Sequence, residues 1–137
     1  KALSILFDVL KKENDNHEAY SYIGFIYLNN ERYKLAEYFF IKSKKFIMMK
    51  NVSGFICPYE GLGMLYYKQN KSNKAQLNLK ISVQKRPEIV NEKYFILYKL
   101  YMDNYQFNEA NFILDKWLEY EPYSKKALSL KKNLTIN

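Results

Sequence analysis

Apolar residues recur along this chain at helical spacing, with polar positions between them. Tyr20, Ile23, Gly24 and Tyr27 fall on one helix face, as do Tyr59, Leu62, Gly63 and Tyr66, and then Tyr94, Leu97, Tyr98 and Tyr101. Steps of three, four and seven residues are what a period of 3.6 requires. The pattern predicts helices over 2–13, 17–29, 33–48, 56–69, 72–85, 91–104, 107–120 and 124–134. Turn chemistry supports these breaks. Asn14, Asp15 and Asn16 offer caps before the second helix, Pro58 suits the first turn of the fourth, and Pro87 and Pro122 mark stops. Asn51, Ser53 and Gly54 predict a longer connection within 48–55. With only four glycines and three prolines in 137 residues, long helices joined by short turns are expected, an all-α chain of about eight helices.

The helical pattern is also periodic on a larger scale. Ala2, Ala36, Ala75 and Ala110 each open an apolar helical stretch, at separations of 34, 39 and 35 residues. Phe40 and Ser43 follow Ala36; Leu79, Ser82 and Pro87 follow Ala75; Leu114, Trp117 and Pro122 follow Ala110. Aromatic, aliphatic, glycine and tyrosine, then alanine, a large apolar residue and a small one: this resembles the tetratricopeptide repeat, whose period is about 34. The resemblance covers most of the chain. It implies antiparallel helix hairpins stacked into a right-handed superhelical solenoid. A single domain over 1–137 is then expected to hold a partial repeat with the second helix only (1–16), repeats at 17–50, 56–89 and 91–123, and a capping helix at 124–137. Two residues depart from the pattern. Tyr98 occupies the glycine position, which predicts a wider splay in the third pair, and Trp117 stands where Ser43 and Ser82 are small, which predicts the end of the regular array.

The same resemblance implies that the first helix of each pair lines a concave surface. Its expected lining includes Ser21, Cys57, Gly61 and Ile96, and the binding residues proper are Glu18, Tyr22, Phe25, Glu60, Met64, Tyr67, Glu92, Phe95, Lys99 and Met102. That groove is apolar through its middle and rimmed by Glu18, Glu60 and Glu92. It suits a partner protein or peptide segment carrying aliphatic anchors and basic flanks. Some tetratricopeptide domains grip acidic chaperone tails with a Lys and Asn carboxylate clamp. The matching positions here hold Ser21, Phe25, Gly61, Glu92 and Ile96, so no clamp is expected. The alternative is a structural spacer or self-associating segment, a homo-oligomer formed through terminal helices, because Leu3, Leu6, Phe7 and Leu10 lack a preceding helix.

Charge adds a third reading and weakens it at once. The formal net charge is +8, and Lys34, Lys42, Lys44, Lys45, Lys71, Lys74, Lys80 and Lys85 fall on second helices or their turns, a face that could attract nucleic acid or an anionic surface. Yet of 22 basic residues only Arg32 and Arg86 are arginine, the residue that planar bidentate recognition draws on. A solvated outer face is the expectation. His17 and Cys57 are the sole histidine and cysteine, and no phosphate-cradling loop or nucleophile elbow occurs, so neither enzyme activity nor a metal or cofactor is expected. No apolar run is long enough to span a membrane. Cytoplasm and bacterial periplasm are equally compatible with one cysteine and a basic charge. Because the chain opens at Lys1 without a methionine, a piece of a longer protein is expected.

Overall fold

The computed structural model describes residues 1–136, without the side chains of 135 and 136; residue 137 of the expected 124–137 cap lies outside it. Eight helices follow one another: α1 (Ala2–Lys12), α2 (His17–Asn29), α3 (Tyr33–Met49), α4 (Cys57–Lys68), α5 (Ser72–Lys85), α6 (Glu92–Asp103), α7 (Phe107–Tyr120) and α8 (Lys125–Ile136). Among the described residues there is no strand, and no helix is long and apolar enough to cross a membrane. Asn16 and Pro58 act as the sequence predicts, and Asn91, expected inside the sixth helix, caps it instead. Asn16 Oδ1 accepts from Ala19 N at 2.9 Å, Asn91 Oδ1 accepts from Lys93 N at 3.0 Å, and Pro58 sits in the first turn of α4.

α2 packs on α3, α4 on α5 and α6 on α7, while α1 leans on α2 and α8 on α7. Between pairs the contacts are one-sided. Neighbouring first helices approach each other, α2 to α4 and α4 to α6, and each second helix packs on the next first helix, α3 on α4 and α5 on α6, whereas the backbones of α3, α5 and α7 stay apart. The stack therefore curves with the first helices on its inner side.

Small residues set the separation within each pair. Ala36, Ala75 and Ala110 are fully buried, and Ala2, which has no first helix before it, is exposed. A Cβ at Gly24 would lie 2.7 Å from the Phe40 ring, and one at Gly63 would lie 2.3 Å from Leu79. In the third pair Tyr98 takes the glycine position. Its ring stacks on Phe95 at 6.4 Å, and α6 and α7 run close over a shorter stretch than the other two pairs. Large side chains fill the rest. Phe40, Ile23, Leu62, Leu97 and Leu114 are buried almost completely, each worth about 1.5 to 3 kcal/mol. At the N-terminal end Phe39 gathers the rings of Phe7, Tyr20 and Tyr27 at 5.8, 6.2 and 5.7 Å.

Trp117 marks a change in packing. Where Ser43 Oγ lies 2.8 Å from Ser21 Oγ and donates to the His17 carbonyl, Trp117 is a buried ring 6.2 Å from Tyr94 whose Nε1 donates to Glu121 at 3.0 Å. α8 continues beyond it, with Ala127 fully buried. The connection after α3 is pinned at two points: Arg86 Nη1 donates to the Gly54 carbonyl at 3.0 Å, and Phe55 meets the His17 ring edge-on at 4.8 Å.

Candidate partner-binding groove

The inner face is built by register. Counting from the shared tyrosine of each first helix, Phe25, Met64 and Lys99 occupy one position, Leu28, Tyr67 and Met102 a second, and Glu18, Cys57 and Glu92 a third nearer the helix start. Phe25, Met64, Tyr67, Phe95 and Met102 are half-buried, each packed against the core while keeping part of its surface open. Phe25 rests edge-on against Phe40 at 4.9 Å.

Other expected lining residues are closed off. Ser21 is buried against Ser43, and Gly61 and Ile96 are buried as well, Gly61 beneath Phe40 of the preceding pair. Tyr22 shares the register of Gly61 and Ile96 but is 47% exposed.

The expected rim of three carboxylates is also altered. Glu18 and Glu92 are exposed, but Glu60 Oε2 receives Lys93 Nζ at 2.9 Å, Asn91 Nδ2 at 3.2 Å and Ser82 Oγ at 3.3 Å. Lys93 Nζ also donates to Ser82 Oγ at 3.0 Å, and its side chain is only 2% exposed. A charge buried to that degree requires such a partner. Glu60 is thus the ion-pair partner of a buried lysine, not a free carboxylate on the rim. The sequence pattern held a signal for this: Lys93 stands in the register of Ala19 and Pro58, both buried, so its ammonium had to be satisfied internally.

At the other end, cations converge on the groove. Lys99 Nζ donates to Tyr67 Oη at 3.1 Å and lies 5.6 Å from the Phe95 ring centre; the Tyr67 hydroxyl holds its pKa above the usual lysine value. From α8, Lys126 Nζ sits 3.6 Å from the same Phe95 ring. Two ammonium groups on one aromatic ring give this end of the inner face a positive, partly apolar character. Lys126 was invisible as a groove residue from sequence, because only the packing of α8 brings it there.

Neither His17 nor Cys57 is placed for chemistry. Burial pushes the His17 imidazole below its usual pKa, and burial pushes the Cys57 thiol above its own, which leaves the thiolate scarce. Among the described residues no group of three His, Cys, Asp or Glu could hold a metal ion. Many outer lysines lean on rings instead of standing free: Lys44 and Lys85 over Tyr59, Lys71 and Lys74 over Tyr66, Lys42 over Tyr38.

No family model and no curated protein matches this sequence. Among solved structures the chain is similar to YrrB, described as a TPR protein with an unusual peptide-binding site, at a TM-score of 0.73 and 20% identity over 96% of this chain. It spans 65% of the length of that protein. The likeness establishes the fold: a tetratricopeptide-like, all-α helical repeat solenoid.

Proposed function

We propose that this tetratricopeptide-like array is a protein-interaction module whose inner face holds a segment of another protein or a peptide, without catalysis. The observation that carries the reading is the row Phe25, Met64, Tyr67 and Phe95: half-open apolar side chains presented by three successive first helices. Surfaces of this kind take the apolar anchors of a helix or an extended segment. The described peptide site of YrrB on the same fold supports it. Charge modifies the partner: with Glu60 paired to Lys93 and Lys99 and Lys126 gathered on Phe95, the third-pair end favours an acidic group beside the anchor, while Glu18 leaves the first-pair end to a basic one.

Partner capture with Phe25→Glu and Phe95→Glu variants tests this, with thermal melting as a check on folding. Loss of the captured partner in both folded variants is expected; retention of every partner by both would show the groove idle. A second reading, self-association, is favoured by α1, which has no fully buried residue and leaves Ile5 59% exposed. Under that reading sedimentation rises with concentration, and Ile5→Glu abolishes the rise.

A further inference from the structure

The outer face carries two slots between second helices, and they are filled differently. Between α3 and α5, Lys44 reaches across: its Nζ lies 3.5 Å from Asn78 Oδ1 and 5.1 Å from the Tyr59 ring centre. Burial lowers the pKa of this ammonium, as expected for a side chain drawn into the slot. Lys44 stands eight residues after Ala36, and Asn78 three after Ala75. One repeat later those positions hold Val83 and Ile113. Two short apolar side chains replace the long bridging pair, and the slot between α5 and α7 stays open as a cleft of about 470 Å³.

Its floor is Leu97 and Tyr101 of α6 and its sides are Val83 and Ile113, all four core residues that show only a narrow strip to the cleft, and Phe112 stands at the mouth, 64% exposed. A contiguous apolar recess with an exposed ring beside it marks an interaction site more often than a defect. The mouth is positive. Lys80 is exposed and has no carboxylate partner among the described residues, and Lys116 lies 5.9 Å from the Phe112 ring. The opposing charge is Glu109, whose carboxylate accepts from Gln106 Nε2 at 3.4 Å. A second copy of this chain is a poor occupant, since it carries the same net charge of +8.

We propose that the cleft between α5 and α7 is a second docking site, distinct from the inner groove, for a protein segment presenting an aliphatic or aromatic side chain flanked by acidic residues. The apolar side chain enters between Val83 and Ile113, and the flanking carboxylates meet Lys80 and Lys116 at the mouth. The bridging pair of the first slot shows what closes such a cleft from within, and so supplies the variant that should block it.

The test uses fluorescein-labelled amphipathic peptides with Leu and Phe anchors, one flanked by Asp and Glu and one by Lys, read by anisotropy. The acidic-flanked peptide is expected to bind at least tenfold more tightly than its Lys-flanked counterpart. Val83→Lys with Ile113→Asn should weaken it at least tenfold. Lys80→Glu with Lys116→Glu, exposed or half-exposed positions that leave the core alone, should do the same. Phe95→Glu, which alters the end of the inner groove where Lys99 and Lys126 gather, should leave it unchanged. Equal binding of the two peptides, or binding that survives the charge reversal, overturns the proposal. Loss of binding in Phe95→Glu alone moves the acidic segment to the inner groove and also overturns it. Self-association that disappears in Val83→Lys with Ile113→Asn replaces the peptide with a second copy.

Discussion

The ring of Phe40 closes over Gly61 so tightly that a Cβ at residue 61 would sit 2.3 Å from it, and the same ring lies against Gly24 of its own hairpin. One side chain thus fixes both the spacing inside the first pair and the distance to the second. Gly61→Ala should cost about 1 to 3 kcal/mol through overpacking, because Phe40 is held from two sides and cannot retreat. Urea denaturation with an unchanged m-value and a lower midpoint is the expected result; an unchanged midpoint would mean that Phe40 can move.

The Lys93–Glu60 pair gives a sharper outcome. Removing only the ammonium, as in Lys93→Met, strands a largely buried carboxylate and should destabilise the fold by about 3 kcal/mol. Adding Glu60→Gln should restore most of that, since Asn91 and Ser82 still bond a neutral amide. A double-mutant cycle with additive effects would show the two residues to be energetically independent.

The turn inside each hairpin places one residue in the left-handed region: Glu31 at φ 61°, Asn70 at 59° and Tyr105 at 59°. Asparagine tolerates that conformation, whereas Glu and Tyr carry a steric penalty of roughly 1 to 2 kcal/mol. Glycine removes it at some entropic cost. Glu31→Gly and Tyr105→Gly should each raise the melting temperature, by a net stabilisation of up to about 1 kcal/mol, while Asn70→Gly changes little.

Alkaline stability should depend on Tyr94. Burial first, and then the acidic groups near it, push its pKa from 10 up to about 12, and its hydroxyl donates to the Pro87 carbonyl at 2.5 Å. The folded chain therefore keeps the proton where the unfolded chain has released it. This contribution is complete below pH 10 and declines as pH rises from 10 toward 12. Tyr94→Phe should lower stability at neutral pH yet flatten the fall over that window, measured by melting temperature against pH.

All eight helices and their pairing partners could be read from the sequence, because a stripe of apolar residues ending in a cap or a proline is a local property. Glycine and alanine at matched positions likewise announced close packing of the paired helices, though not that Phe40 and Leu79 are the side chains lying on Gly24 and Gly63. What the sequence hid were relationships between repeats. Glu60 looked like a rim carboxylate because its partner Lys93 lies on another helix, and Lys126 looked like part of a cap until α8 laid it on Phe95. The open slot beside Phe112 was hidden for the same reason: it arises from Val83 and Ile113 jointly, neither of which is unusual alone.

The contacts between hairpins make α4 the keystone of this array. α4 lies against α2, α3, α5 and α6 at once, and Lys44 ties α3 directly to Asn78 of α5. A shift of that one helix would have to be absorbed by both neighbouring hairpins, so substitutions buried in α4 should cost more stability than matching ones in α6, which reaches fewer neighbours.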